Sequence, residues 1–154
     1  PKVLLNQSVE ECEGRIRGFR AKYLSNEEFT LGVFAPDESE LLGGSGFYLR
    51  EGRLESGKAE IGMWIRSSQA GKGLGTKVLQ ALVRWGFTEW QWRRLVWKCD
   101  VENLPSRRTA ERVGFSLEAT LRQYLPNFRT EGKSDAHYFA LLKSEWTQRE
   151  HGTL

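Results

Sequence analysis

The chain is poor in the residues that build disulfide frameworks and metal sites. Its 154 residues hold two cysteines, Cys12 and Cys99, far apart and without the spacing of a secreted scaffold. Reduced thiols and a cytoplasmic location are therefore expected. Two histidines, His137 and His151, cannot make a zinc site alone, so no metal is expected. Four prolines form no linker-like tract, and no repeat divides the chain. No apolar run approaches the ~20 residues that cross a bilayer, which argues against a membrane partner. The opening PKVLLNQSVEECEG lacks the cationic and long apolar segments of a signal peptide. It begins with Pro1 rather than Met, as expected of a processed, trimmed or incompletely observed chain. Basic excess is also scarce: 23 Lys and Arg against 20 Asp and Glu leave a net charge of +3. That is too little, and too scattered, for a nucleic-acid footprint, yet compatible with an anion held locally.

What is present is a globular balance, 39% hydrophobic and 28% charged, with six Trp and eight Phe. The length suits one domain over residues 1–154 with a genuine core. Ser8 and Glu11 have capping-box spacing, and a helix is expected to about Tyr23 with Val9, Cys12, Ile16 and Phe19 on its buried stripe. Glu28–Phe34, Leu41–Leu49 and Ala59–Ile65 read as an antiparallel meander, the second strand loosened by three glycines. From Gly73 to Trp90 the apolar period becomes helical, with Leu74, Val78, Leu82 and Trp85 inward. Arg94–Cys99 alternates as a strand, and Asn103–Val113 forms a helix stopped by Gly114. Phe115–Leu121 and Asp135–Leu142 are read as final strands around a loop with Pro126 and Gly132. The expected order is α-β-β-β-α-β-α-β-β, a mixed α/β sheet with packed helices. Trp85 and Trp97 read as core, Trp90 and Trp92 as partly exposed around a Gln91 turn, and Trp64 and Tyr124 as possible pocket walls.

The chemistry concentrates between Ala59 and Thr76. A buried strand runs into QAGKGLGT, with Gly71, Gly73 and Gly75 at alternate positions where a helix starts. Unpaired first-turn amides and the positive helix end make Gly71–Thr76 a phosphate cradle, helped by Lys72 and the Thr76 hydroxyl. No Gly-Lys-Ser/Thr is present for a P-loop, and G-x-G-x-G after a meander is not a dinucleotide loop.

Strand AEIGMWI, loop QAGKGLGT and helix KVLQALVRWGF resemble the central motif of the GNAT N-acetyltransferases. CDVENLPSRRTAERVGF, with Asn103, Ser106, Gly114 and Phe115, is similar to that family's later strand and helix. With LRQYLPNFRTEGKSDAHYFALLKSEW behind it, the match looks most like the RimJ/RimL-type branch. The resemblance implies a GNAT-like fold, lacking here the first strand and helix that the family usually carries. It implies acetyl-CoA as co-substrate, bound by Ile65, Ala70, Gly71, Lys72, Gly73, Leu74, Gly75, Thr76 and Asn103. A strand amide near Ile65 would face the oxyanion, and Ser106 would give a proton to the leaving thiolate. Ala70 stands where Arg or Gln is usual, and Ala110 where many members carry a Tyr acid.

For the base, Glu60 shares a strand face with Gly62 and Trp64 and is weighed against simple pairing across the sheet. Asp135 aligns with an acidic family position, and His137 shares its parity. Asn103 also reads as an ordinary helix cap, and Ser106 as a first-turn hydroxyl. The leading function is transfer of an acetyl group to a primary amine, on a protein N-terminus or a small molecule, by direct attack in a ternary complex. The alternative is a non-catalytic acyl-CoA-binding or regulatory module. A monomer or homodimer is expected, without nucleic acid.

Overall fold

Strand-period and helix-period segments resolve, in a computed structural model describing residues 8–90, 92–127 and 132–151, into one mixed sheet with helices against it. Helix α1 spans Val9–Leu24 and leads to β1 (Glu28–Phe34), β2 (Leu41–Tyr48) and β3 (Lys58–Ile65). There follow α2 (Leu74–Thr88), β4 (Arg94–Asp100), α3 (Leu104–Val113), β5 (Ser116–Asn127), β6 (Gly132–Leu142) and α4 (Lys143–His151). The strand order is β1-β2-β3-β4-β6-β5. Every neighbouring pair is antiparallel except β3 with β4.

Helix α1 starts where the capping box places it. Ser8 Oγ accepts the Glu11 amide at 3.2 Å, and the Glu11 carboxylate accepts the Ser8 amide at 2.7 Å. The expected inward stripe is a different matter: no residue of α1 is buried, and Val9 and Ile16 stay 77% and 65% exposed. Periodicity supplies an apolar face but not the surface to cover it. The helix meets the sheet at its C-terminal end, where Tyr23 stands edge-on to Phe29 at 5.4 Å and Lys22 pairs with Glu28 at 2.9 Å.

The two faces of the sheet differ sharply. On one, register aligns Phe29 with Phe47 and Phe47 with Ile61, then Leu95 with Leu141 and Trp97 with Phe139. Leu79, Val83 and Phe87 of α2 and Ala110 of α3 close over these rows. Trp92 joins this core at 1% exposure, stacked on Trp90 at 5.9 Å. This corrects the expectation of a partly exposed Trp92; Gln91 itself lies outside the described residues. Ala110 is fully buried, so this position of α3 belongs to packing.

The glycines of β2 and β3 allow close approach: Gly43 and Gly46 lie against the backbone of neighbouring strands, while Gly44 and Gly62 lie against rings. A Cβ on Gly44 of β2 would run into Trp64 Nε1, and one on Gly62 of β3 would lie 3.1 Å from the Tyr48 ring. The last two strands run longer than their sequence suggests. Pro126 lies inside β5, opposite Lys133, instead of in a loop. The outermost position of β5 tolerates it, since an edge strand need not donate every amide. Helix α4, unanticipated in the sequence, brings Trp146 against Phe87 at 5.5 Å.

Candidate functional site

The parallel pair is short. Strands β3 and β4 are in register at Lys58–Arg94, Ala59–Leu95 and Glu60–Val96. Strand β3 continues to Ile65 and β4 to Asp100, so beyond Glu60 and Val96 they part. Both then flow at their C-terminal ends into helix starts, β3 into α2 and β4 into α3. A crevice at the carboxyl ends of parallel strands, floored by helix N-termini, is where open α/β sheets bind ligands.

The α2 rim is built for an anion. A one-turn helix, Ser67–Gln69, follows β3, and Ala70 returns to extended backbone at φ −65°, ψ 149°. Gly71 and Gly73 then take φ of 74° and 79°, the left-handed region that glycine enters freely. A Cβ at either position would meet nothing within 4 Å, so these glycines serve the turn and not a tight space. Gly75 is ordinary: its Cβ would touch Met63 Sδ at 3.7 Å and Ile65 Cγ1 at 3.8 Å. Gly73 is the N-cap, and no side chain caps the helix. The first-turn amides of Leu74, Gly75 and Thr76 therefore have no partner within the helix. Lys72 is exposed beside them and Thr76 half-buried. With the helix dipole these features can hold a phosphate without a metal ligand set. Among the described residues no His, Cys, Asp and Glu group could hold a metal ion.

The α3 rim carries the reactive candidates. Asn103 is the N-cap, its Oδ1 accepting the Ser106 amide at 3.2 Å. Ser106 Oγ lies 3.0 Å from Trp97 Nε1. Burial pushes the Cys99 thiol above its ordinary value, while a hydrogen bond with Ser106 works the other way. Asp135 faces this end of β4: its carbonyl accepts the Val101 amide at 3.2 Å, and Oδ1 accepts the Gln123 amide at 2.8 Å. Gln123 has φ 51° within the β5 irregularity, so Asp135 fastens a strained point of the strand. His137 meets Thr120 Oγ1 at 3.1 Å, a satisfied structural arrangement.

Glu60 lies on the opposite face. It is 8% exposed, with Oε2 3.0 Å from Lys98 Nζ and Oε1 3.3 Å from Arg50. Lys98 also reaches Glu51 at 2.6 Å and Tyr124 Oη at 3.0 Å, and Tyr138 Oη donates to Glu51 at 2.8 Å. Burial lowers the Lys98 pKa, but its bonds to Glu51, Tyr124 and Glu60 outweigh that and hold the ammonium above the ordinary lysine range. Tyr124 is thus part of an ionic network. That network escaped sequence reasoning because its members come from β3, β4, β5, β6 and the β2–β3 connection. The one available signal was a lysine flanked by apolar strand residues. Trp64, 47% exposed, lines a separate hollow of about 550 Å³ with Ile16, Phe19, Phe34 and Gly44. The hollow lies between α1 and the β1–β2 edge, and its lining includes neither Asn103 nor Ser106.

Comparison with known proteins gives the family. Residues 1–116 match the family model described as an acetyltransferase (GNAT) domain. The chain is 30% identical over 139 residues to the uncharacterized N-acetyltransferase p20 of Bacillus licheniformis, covering 90% of this chain and 75% of that protein. It is 36% identical over 107 residues to a ribosomal-protein-serine acetyltransferase of Escherichia coli (strain K12), covering 68% of this chain and 56% of that one. The chain thus spans little more than half the length of this second relative. A crystal structure of a probable acetyltransferase superposes with TM-score 0.77 at 30% identity, over 87% of this chain and 72% of the other.

Proposed function

The chain belongs to the GNAT acetyltransferase family, on its RimJ/RimL-type branch, and we propose that it moves an acetyl group from acetyl-CoA to a primary amine in a ternary complex. The observation that carries this reading is the parting of β3 and β4 beyond Glu60 and Val96, with the uncapped α2 start at one rim. Bound there, acetyl-CoA supplies an activated acyl group; the remaining work falls to the protein.

The amides of Leu74, Gly75 and Thr76, with Lys72 alongside, hold the pyrophosphate. Gly71 and Gly73 give the loop its turn, and Ala70 presents backbone alone. The backbone near Ile65 faces the developing oxyanion. Asn103 fixes the start of α3 and orients the pantetheine side of the cleft. Ser106 donates to the sulfur as the amine attacks, and Asp135 takes the amine's proton. Asp135 is favoured over Glu60 because one of its oxygens holds a single amide, whereas both Glu60 oxygens face cations. The Escherichia coli relative is named for a ribosomal-protein serine; with a primary amine as acceptor, that favours a protein whose N-terminal residue is serine.

Thiol release from acetyl-CoA tests this, using peptides with N-terminal Ser or Ala, a polyamine and a free amino acid. Amine-dependent release, fastest with the N-terminal Ser peptide, is the expected result. Saturable binding of acetyl-CoA without release from any amine would instead favour the non-catalytic acyl-CoA-binding module.

A further inference from the structure

We infer that Trp97 is a positioning residue that aims the Ser106 hydroxyl and steadies the charge on its oxygen as the thiolate departs. The inference rests on the acetyl-transfer reading and adds a residue which that reading does not use. Trp97 belongs to the core by burial, at 5% exposure, yet its polar edge points at the cleft rim: Nε1 is 3.0 Å from Ser106 Oγ. An indole N–H can only donate, so Ser106 is the acceptor whatever the protonation states nearby.

The other contacts of Ser106 follow the same logic. Its amide is taken by Asn103 Oδ1 at 3.2 Å, which fixes the backbone from which the side chain projects. Cys99, two residues along β4 from Trp97 and on the same face, interacts with the hydroxyl. Because the indole can only donate to Oγ, the Ser106 hydroxyl keeps its own hydrogen for an acceptor, the Cys99 sulfur at rest or the leaving sulfur in the cleft.

A serine hydroxyl is a weaker acid than a thiol and would part with its hydrogen reluctantly. As the thioester carbon–sulfur bond breaks, its electron pair goes to sulfur, and the Ser106 hydrogen moves toward that sulfur. Negative charge then grows on Oγ, and the indole N–H stabilises it through a charge-assisted bond about twice as strong as a neutral one. Ser106 recovers a proton from water while the amine's proton leaves through Asp135. Nothing is oxidised or reduced.

Trp97→Phe removes the N–H and keeps a ring. In the thiol-release assay kcat should fall about tenfold, as for one hydrogen bond to a group gaining charge, with the acetyl-CoA KM changed less than about twofold. In a Ser106→Ala background the same change should alter kcat by less than about twofold, because the group it acts through is gone. A measurement on the folded, resting protein needs no turnover. In a proton–nitrogen correlation spectrum, the Trp97 indole cross-peak should move upfield in Ser106→Ala.

Equal losses from Trp97→Phe in both backgrounds would make Trp97 merely structural and overturn the inference. So would an unmoved indole peak, or wild-type kcat in Trp97→Phe while Ser106→Ala is slow. Ser106→Ala turning over at the wild-type rate would sink the inference and leave acetyl transfer standing. Thiol release with no amine at all would sink both.

Discussion

Replacing Gly73 separates what the loop needs from its backbone and what it offers to a ligand. Gly73 sits at φ 79°, ψ −1°, and a Cβ there would touch nothing within 4 Å. Gly73→Ala therefore carries a conformational cost and no clash. Left-handed backbone costs an L residue about 1–2 kcal/mol, and about 2–4 °C of Tm accompanies each kcal/mol in a chain of this size. The ligand-free Ala variant should melt about 2–8 °C below wild type. Gly73→Asp bears a similar backbone cost, but its carboxylate sits favourably at a helix N-terminus. Without ligand it should melt at or above the Ala variant. Acetyl-CoA at about a hundred times its Kd should stabilise wild type by about 2.7 kcal/mol, which is about 5–11 °C by the same conversion. The Ala variant should keep most of that shift, since the amides remain. The Asp variant should lose it, since its charge takes the place of the anion. Differential scanning fluorimetry with and without acetyl-CoA reads all six values. A full shift in Gly73→Asp would refute the cradle, and an Ala variant as unresponsive as Asp would refute the role given to charge.

Three further outcomes follow from the network and the α3 rim. Lys98→Met leaves Glu60 and Glu51 without their shared cation and should cost about 3 kcal/mol, at the low end for a broken buried pair because Glu51 is partly exposed; urea denaturation would check it, and a loss below about 1 kcal/mol would mark the network as surface decoration. The pH dependence of that difference is also fixed in sign. The raised Lys98 pKa makes its contribution complete below the ordinary value of 10.5 and lost only above the raised one. Burial raises the Glu51 pKa, but its Lys98 and Tyr138 bonds bring it below the ordinary 4.5, so its contribution is complete above that value and lost as pH falls through the lowered one. The stability gap between wild type and Lys98→Met should be flat between these limits and shrink outside them, as denaturation at several pH values would reveal. Asp135→Asn keeps an acceptor for the Gln123 amide and removes the base; kcat should fall about a hundredfold with Tm nearly unchanged, whereas an unchanged kcat would remove Asp135 from the mechanism.

The sequence revealed what is local and missed what is assembled. Ser8 with Glu11 marked the start of α1, and Asn103 and Gly114 marked both ends of α3, because caps depend on residues within one turn. The fate of α1's apolar stripe was illegible, since Val9 and Ile16 depend on a neighbour that periodicity cannot name. Pro126 read as a loop because a proline's tolerance in a strand depends on whether that strand lies at an edge, which is a property of the whole sheet. The alternate glycines at the start of α2 read alike in the sequence and differ in the structure. Gly71 and Gly73 answer to a positive φ, while Gly75 packs against Met63 and Ile65 like any small residue. Strand parity left Glu60 between a base facing the cleft and a charge paired across the sheet, and the pairing is what the structure shows. Its two cations, Lys98 and Arg50, come from other strands and loops, and no spacing rule brings them into view.

Titration of the labelled protein with acetyl-CoA, followed by backbone proton–nitrogen correlation, tests the central claim most directly. The amides of Gly71, Gly73, Leu74, Gly75, Thr76 and Asn103 should shift together and saturate together, while those of Ile16, Phe19 and Phe34 beside the separate hollow stay still. Shifts confined to the hollow at Trp64, or no saturable shift at the start of α2, would contradict the account.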